Sequence, residues 1–309
     1  MLELAVASVA ANAQNFPSRP VRIVTGGVGG QSDFTSRIIA QGLTAQLGQQ
    51  VIVDNRASGV IPGQIVSQAA PDGYTLLLVG GTFTIGSLLL KTPYDPVRDF
   101  APVSLPNQQP NVLVVHPSVA VKSARELIDL AKAKPGALNY SSGQSGSSSH
   151  LAAELFKYMA NVNIVGIHYK SGATRMTDLI GGQVQMEFAT PGAVAAHVKS
   201  GKLRPLAVTS AQPSALVPGL PTVSATGLPG YESVGMSGVY APAKTPVSIV
   251  NLLSKEIARV VNQPDIKQKF FETGVEAVGG SPAELAAKIK SELERMGKVI
   301  KAAGIRGES

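Results

Sequence analysis

Between an apolar run, Val21 to Val24, and a segment whose apolar residues fall at helical spacing, Phe34, Ile38, Ile39, Leu43 and Leu47, the chain reads TGGVGGQSD. Glycines at a helix start leave its first backbone N–H groups uncovered, and those groups have no acceptor inside the helix. Such a place attracts anions, because the donors converge and the helix dipole favours negative charge. Strand, glycine loop and helix are also the context of a dinucleotide fingerprint, and Asp54 ends the next apolar run where a ribose-binding acid would stand. The spacing departs from that fingerprint. Gly27-Val28-Gly29 is followed by Ser32 at the position of the third glycine, which serves close helix-to-sheet packing. With no lysine behind the glycines, a Walker A loop is excluded. An anion cradle, a nucleotide site and a bare structural turn all stay open on these residues.

A second loop, SSGQSGSSSH from Ser141 to His150, lies between another apolar run and another helical pattern. Its Gly143 to Ser147 approaches the G-x-S-x-G nucleophile elbow with Ser145 central, and Asp178 and His197 follow in the hydrolase order of serine, acid, histidine. Ser147 replaces the last glycine, however, and the serines run on through Ser149, too long a loop for a sharp elbow. These hydroxyls suit the cap of a helix starting near His150, where hydroxyls and amides also bind anions. The histidines, His116, His150, His168 and His197, lack metal-ligand spacing, and the chain has no cysteine, so no metal site and no cofactor are expected. Tyr169, Phe188 and Tyr240 fall at predicted strand ends, where an aromatic ring either lines a cleft or fills the core.

The elements that must hold these loops alternate between short Val/Ile/Leu runs and helical patterns, which predicts α/β architecture with largely parallel sheets. Predicted strands cover Val21 to Val24, Val51 to Asp54, Leu138 to Ser141, Ile164 to His168 and Val184 to Phe188. Predicted helices include Asp33 to Leu47, Ser123 to Lys132, Leu151 to Met159, Val247 to Asn262 and Pro282 to Ala303. In the Pro-rich TPYDPVRDFAPVSLPNQQP the pattern lapses, and a second Pro/Gly-rich stretch follows near residue 220. Crossings near 105 and 235 predict two α/β lobes, residues 14–105 plus 237–309 and residues 106–236, with a cleft where strand ends and helix starts converge.

At 309 residues, 44% of them apolar, the chain has material for a real core. Its formal charge of +7 is scattered, without a basic stripe or aromatic interleaving, so the excess favours anions in general and not nucleic acid. Leu2 to Ala11 is a short apolar run followed by Ala11-Asn12-Ala13, an A-x-A cleavage pattern, so residues 1–13 read as the remnant of a secretory signal and imply export. No other stretch reaches the roughly 18 apolar residues of a membrane span.

With those residues in view, the chain resembles the periplasmic substrate-binding proteins of tripartite tricarboxylate transporters, the Bordetella uptake gene (Bug) family, essentially end to end. FPSRPVRIVTGGVGGQSD is similar to the family's opening strand and loop, and APDGYTLLL to its third strand. PNVLVVHPS resembles the crossing, LNYSSGQSGSSSHLAAELFK the second-lobe loop and helix, and VGIHYKSGATRMTDLIGGQVQMEFATP the segment after it. The resemblance implies a periplasmic binding protein type II-like fold, in which two α/β lobes joined by two crossing segments close around a central cleft. It implies a non-enzymatic, monomeric periplasmic protein that captures a small organic carboxylate, a dicarboxylate or aromatic carboxylate, and passes it to a membrane permease. An NAD-type oxidoreductase and a serine hydrolase are the rival readings of the residues. Carried over by motif, the ligand contacts would be Gly30, Gln31, Ser32, Asp33, Gly81 and Thr82 in the first lobe. In the second they would be Ser145, Gly146, Ser147, Ser148, Tyr169, Ser171, Gly172, Ala173, Phe188, Ala189 and Thr190.

Three departures from the family pattern stand out. Gly26, Gly27 and Val28 occupy a loop where relatives usually carry an aromatic residue and prolines, which implies a wider pocket or a looser loop. The loop ASGVIPGQ after DNR is short. Ala189-Thr190 lacks the acid or amide common there, which disfavours a ligand with an amino group.

Overall fold

The computed structural model describes residues 16–56, 60–143 and 146–305. In chain order the elements are β1 (Val21–Thr25), α1 (Gln31–Leu47), β2 (Val51–Asn55), α2 (Ile61–Ser67), β3 (Thr75–Gly80), α3 (Thr82–Leu89), β4 (Phe100–Pro110) and β5 (Val112–Val115). Then come α4 (Ala124–Ala133), β6 (Asn139–Ser142), α5 (Ser148–Ala160), β7 (Val165–His168), α6 (Gly172–Ile180), β8 (Met186–Ala189), α7 (Pro191–Lys199) and β9 (Arg204–Val208). The last are α8 (Val223–Thr226), β10 (Val234–Pro242), α9 (Val247–Val261), α10 (Pro264–Glu272), β11 (Glu276–Gly280) and α11 (Pro282–Ala303).

The chain divides into two compact units. One holds the described residues up to Gln108 with Met236–Lys269 and Ala277–Leu293; the other holds Gln109–Gly235, Phe270–Glu276 and the described residues from Glu294. The chain leaves the first unit within β4 and returns within β10. The sequence reading gave all of 237–309 to the first lobe, whereas 270–276 and the end of α11 count with the second unit.

The first unit is built on a six-stranded sheet of order β11-β4-β10-β3-β1-β2. β1 pairs in parallel with both β2 and β3, while β10 runs antiparallel to β3. Val21, Ile23 and Val24, with Leu76, Leu77 and Leu78 of β3, are wholly buried, as expected of central strands covered on both faces. α1 ends at Gly48, whose φ of 68° is the left-handed cap conformation that glycine adopts without a Cβ clash. Phe83, Tyr94, Phe100 and Tyr240 form one aromatic cluster in this core, with ring centroids 5.1 to 6.3 Å apart. Tyr240 is therefore a core residue.

The second unit carries a five-stranded sheet of order β7-β6-β8-β5-β9. β6 is parallel to β7 and β8, and β5 is antiparallel to β8 and β9. Both sheets are thus mixed where alternating helices and strands predicted largely parallel ones. The antiparallel partners are β10 and β5, the strands next to the chain crossings, which enter without a helical crossover of their own. The second half of the Pro-rich segment, Phe100–Pro110, forms the continuous strand β4. Pro102, Pro106 and Pro110 are four apart, so in an extended strand their missing N–H donors all fall on one side, and the ladder on the other side stays intact.

Candidate functional site

In the first unit the chain runs β1, α1, β2, α2, β3 while the sheet order is β2-β1-β3, so the winding direction reverses between β1 and β3. Ligands of open α/β sheets bind outside the carboxyl ends of the strands at such a reversal. The loop after β1 and the Gly80-Gly81 step after β3 meet there: a side chain built on Gly80 would begin 3.8 Å from Ser32 Oγ. Gly30 caps α1 in extended conformation, φ −82° and ψ 168°, with no side-chain hydrogen bond to the helix start. The first-turn N–H groups of Gln31, Ser32 and Asp33 have no acceptor within the helix. Space around the loop is open: Cβ atoms at Gly26, Gly27 and Gly29 would meet nothing within 4 Å, and Val28 is 76% exposed.

Asp33 has a different task from the neighbours it was grouped with. It is 4% exposed and both its oxygens are engaged. Oδ2 accepts the Gly29 N–H at 2.9 Å, and Oδ1 accepts Asn55 Nδ2–H at 2.9 Å and faces Arg37 Nη2 at 3.0 Å. Asn55 Nδ2 also donates to the Gly26 carbonyl at 2.9 Å, and Arg37 Nη2 donates to Asn55 Oδ1 at 3.1 Å. Burial alone would raise the Asp33 pKa, but the donors at Gly29, Asn55 and Arg37 outweigh it and hold the carboxyl below its usual value. The charged side chain ties down both ends of the glycine loop and leaves the amides beyond it clear. Sequence reasoning missed Asn55 and Arg37; the i, i+4 spacing of Asp33 and Arg37 was the available signal.

Gly81 opens α3 without a side-chain cap. The Glu292 carboxylate of α11 lies 3.7 Å from the Cβ position of Gly81, so this helix start already faces an anion of the chain's own, unlike that of α1. Asp54, the ribose-acid candidate, faces Arg56 Nη2 at 2.9 Å and Arg22 Nη1 at 3.5 Å. Two guanidinium groups occupy it instead of a sugar.

The second unit repeats the arrangement. β6, α5, β7, α6 and β8 follow in sequence, while the sheet order is β7-β6-β8, so the reversal falls between β6 and β8. Ser147 caps α5, its Oγ accepting His150 N–H at 3.4 Å, as the serine run predicts. Gly146, at φ 81°, donates its N–H to His150 Nδ1 at 2.9 Å. Gly143 N–H reaches Ser149 Oγ at 3.1 Å. Ser148 is exposed at the first helical position. Ser145 lies outside the described residues, so neither its ligand role nor the elbow geometry bears on the structure. Asp178 accepts the Tyr169 hydroxyl at 2.8 Å on α6, and His197 lies in the last turn of α7.

His150 and His168, far apart in sequence, have ring centroids 4.7 Å apart at 81°. Burial pushes the His150 pKa down to about 4, with the neighbouring His168 adding to the shift. A neutral imidazole is what the Gly146 N–H needs as acceptor. His168 Nδ1 shares a hydrogen with Ser142 Oγ at 2.7 Å. Both rings brace the loop after β6, a role within the capping or packing expected of them.

The remaining candidates divide. Ser171, Gly172 and Ala173 are exposed at the start of α6, where Ser171 leaves the helix without a side-chain cap. Thr190 opens α7 ahead of Pro191, again without one. Phe188 and Ala189 are 0% and 1% exposed. Phe188 packs on Phe156 and Tyr231 with centroids 5.6 and 6.3 Å away, so its side chain belongs to the core and not to a ligand surface. Beside these loops lies an ion pair that the sequence reading did not select: Arg175 Nε faces Glu187 Oε1 at 2.9 Å, and Glu187 is wholly buried.

Residues 35–305 match the profile of the tripartite tricarboxylate transporter family receptor. The chain is a member of that family. Among solved structures, it is similar to a Rhodopseudomonas palustris protein, Rpa4515, solved with adipate: 36% identity, 94% of this chain and 99% of that one, TM-score 0.71. It is similar also to the periplasmic binding protein BugD, at 28% identity over 95% of this chain and all of that one, TM-score 0.69. A third likeness is to MatC of R. palustris with bound malate, at 26% identity over 92% of this chain and all of that one, TM-score 0.69. The Bug resemblance and the periplasmic solute-binding fold read from the sequence are thereby borne out. Among the described residues, no helix is long and apolar enough to cross a membrane.

Proposed function

We propose that this protein is an exported solute receptor that works as a monomer without enzymatic activity. It captures a small organic carboxylate by closure of its two units and hands it to a tripartite transporter permease in the membrane. The observation that carries the reading is the uncapped start of α1 at the winding reversal of the first sheet, beside a glycine loop that Asp33 holds open. Backbone N–H groups there, with the Ser32 hydroxyl, suit carboxylate oxygens directly or through water. Hydrogen bonds to a charged group contribute about 1.5–3 kcal/mol each, so several converging donors are needed to offset the entropy of capture. The relatives solved with adipate and malate support the ligand class. Open space around Gly26, Gly27 and Val28 supports a longer or aromatic dicarboxylate.

A thermal-shift screen tests this, with aliphatic and aromatic carboxylates set against NAD and mononucleotides. A ligand at a hundred times its Kd stabilises by about 2.7 kcal/mol, roughly 4 °C for a chain of this length. At least one carboxylate should give that shift; a shift with nucleotides alone would overturn the reading.

A further inference from the structure

Every contact so far ascribed to the second unit is a backbone amide or a hydroxyl. Arg175 adds a guanidinium. It is the fourth residue of α6, its N–H bonded to the Ser171 carbonyl at 3.2 Å, and its side chain is 20% exposed. Nε is turned inward to Glu187, whose other oxygen accepts the Ser141 hydroxyl at 2.9 Å. Nη1 lies 3.4 Å from the point where a side chain on Gly143 would begin, against the loop that leads from β6 into α5. The guanidinium therefore spans from the sheet interior to the anion loop. Among the described residues no acceptor is bonded to Nη1 or Nη2. A larger residue at 143 would crowd both Arg175 and Ser147, whose Oγ is 3.1 Å from the same point.

We infer that Arg175 is a ligand contact of this half-site, positioned for that task by Glu187, and that it selects a ligand whose group here is a second carboxylate. This rests on the proposed carboxylate-binding function and deepens it. A guanidinium offers a planar pair of donors that matches a carboxylate in two parallel hydrogen bonds, which a carboxamide or an ester does not match. Glu187 Oε1, 2.9 Å from Nε, neutralises the charge behind it. Because the pair as a whole is neutral, the contact selects by geometry and donor count and does not merely add positive charge. The expected substrate is a dicarboxylate, with a monocarboxylate of the same carbon skeleton bound far more weakly.

The experiment measures Kd by calorimetry for dicarboxylates from succinate to suberate and the three phthalate isomers, then for the monoamide of the tightest binder. The proteins are wild type, Arg175→Gln and the double variant Arg175→Gln/Glu187→Gln, which leaves no unpaired buried charge if the single variant fails to fold. The wild type should prefer the diacid over its monoamide by about tenfold or more, and that preference should collapse to within about threefold in the double variant. Wild-type preference that survives in the double variant overturns the inference while the receptor reading stands, as does a wild type that binds the monoamide as tightly as the diacid. If no carboxylate binds the wild type, the receptor reading itself fails and the inference falls with it.

Discussion

At the scale of single residues, the two glycine and serine loops were legible because helix starts are local: capping chemistry is written within a few positions of sequence. Ser147 is the example, a serine three residues before the N–H it accepts. The network around Asp33 was not legible, since Asn55 lies 22 positions away and only the parallel pairing of β1 with β2 brings it near. These two loops carry one prediction. Ser147→Asp keeps a good cap, and Gly30→Asp fits an extended backbone whose nearest neighbour to a Cβ is 3.6 Å away, so both variants should fold. Each puts a carboxylate at a helix start that the proposed function assigns to the ligand's carboxylate, and on that reading carboxylate binding should fall at least about a hundredfold by repulsion. Calorimetry on folded variants checks it, and undiminished affinity in both would move the ligand elsewhere. His150 carries another. An unfolded imidazole takes a proton near pH 6.5, whereas the folded one holds out to about 4. Between those values the unfolded chain binds more protons, so this contribution is full above about pH 6.5 and is lost as pH falls through about 4. In His150→Asn, which keeps an acceptor for Gly146 N–H but cannot be protonated, the melting temperature should drop roughly 3–5 °C less than in wild type between pH 7 and 4.5. Parallel melting curves by circular dichroism would refute it.

At the scale of elements, periodicity located the strands and helices that flank the loops, and failed where a tertiary partner overrides it. β4 is strand despite three prolines because β10 and β11 pair with it on either side. Phe188 ends a strand like Tyr169, yet its ring is buried between Phe156 and Tyr231, which no local pattern announces. Helix packing offers a test. Gly42 of α1 lies against Val260 of α9 so closely that an added methyl would collide with both Val260 methyl groups. Gly42→Ala gains helix propensity of about 1 kcal/mol but must push α9 away, an overpacking cost of about 1–3 kcal/mol. The variant should therefore melt up to about 3 °C lower, and Gly42→Ala/Val260→Ala should melt higher than the sum of the two single changes predicts. Equal melting temperatures for the single variant and wild type would mean that α9 shifts freely, and the glycine would then have no packing role.

At the scale of the whole molecule, the scattered net charge of +7 and the local donor sets act over different distances. Diffuse positive charge attracts an anionic ligand from a distance and is screened with a Debye length of about 10 Å at 0.1 M salt and about 3 Å at 1 M. Amide, hydroxyl and guanidinium donors act at contact, well inside that length. Salt should therefore slow capture without loosening the captured ligand: between about 20 and 500 mM sodium chloride, association should slow several-fold while dissociation stays within about twofold. The chain has no tryptophan and seven tyrosines, among them Tyr169 near the start of α6, so stopped-flow tyrosine fluorescence is the natural probe. Replacing exposed lysines such as Lys170 and Lys202 with glutamine should lower the association rate in the same manner and leave dissociation alone. If instead dissociation accelerates with salt as steeply as association slows, the ligand is held by exposed charges, and helix starts are not what bind it.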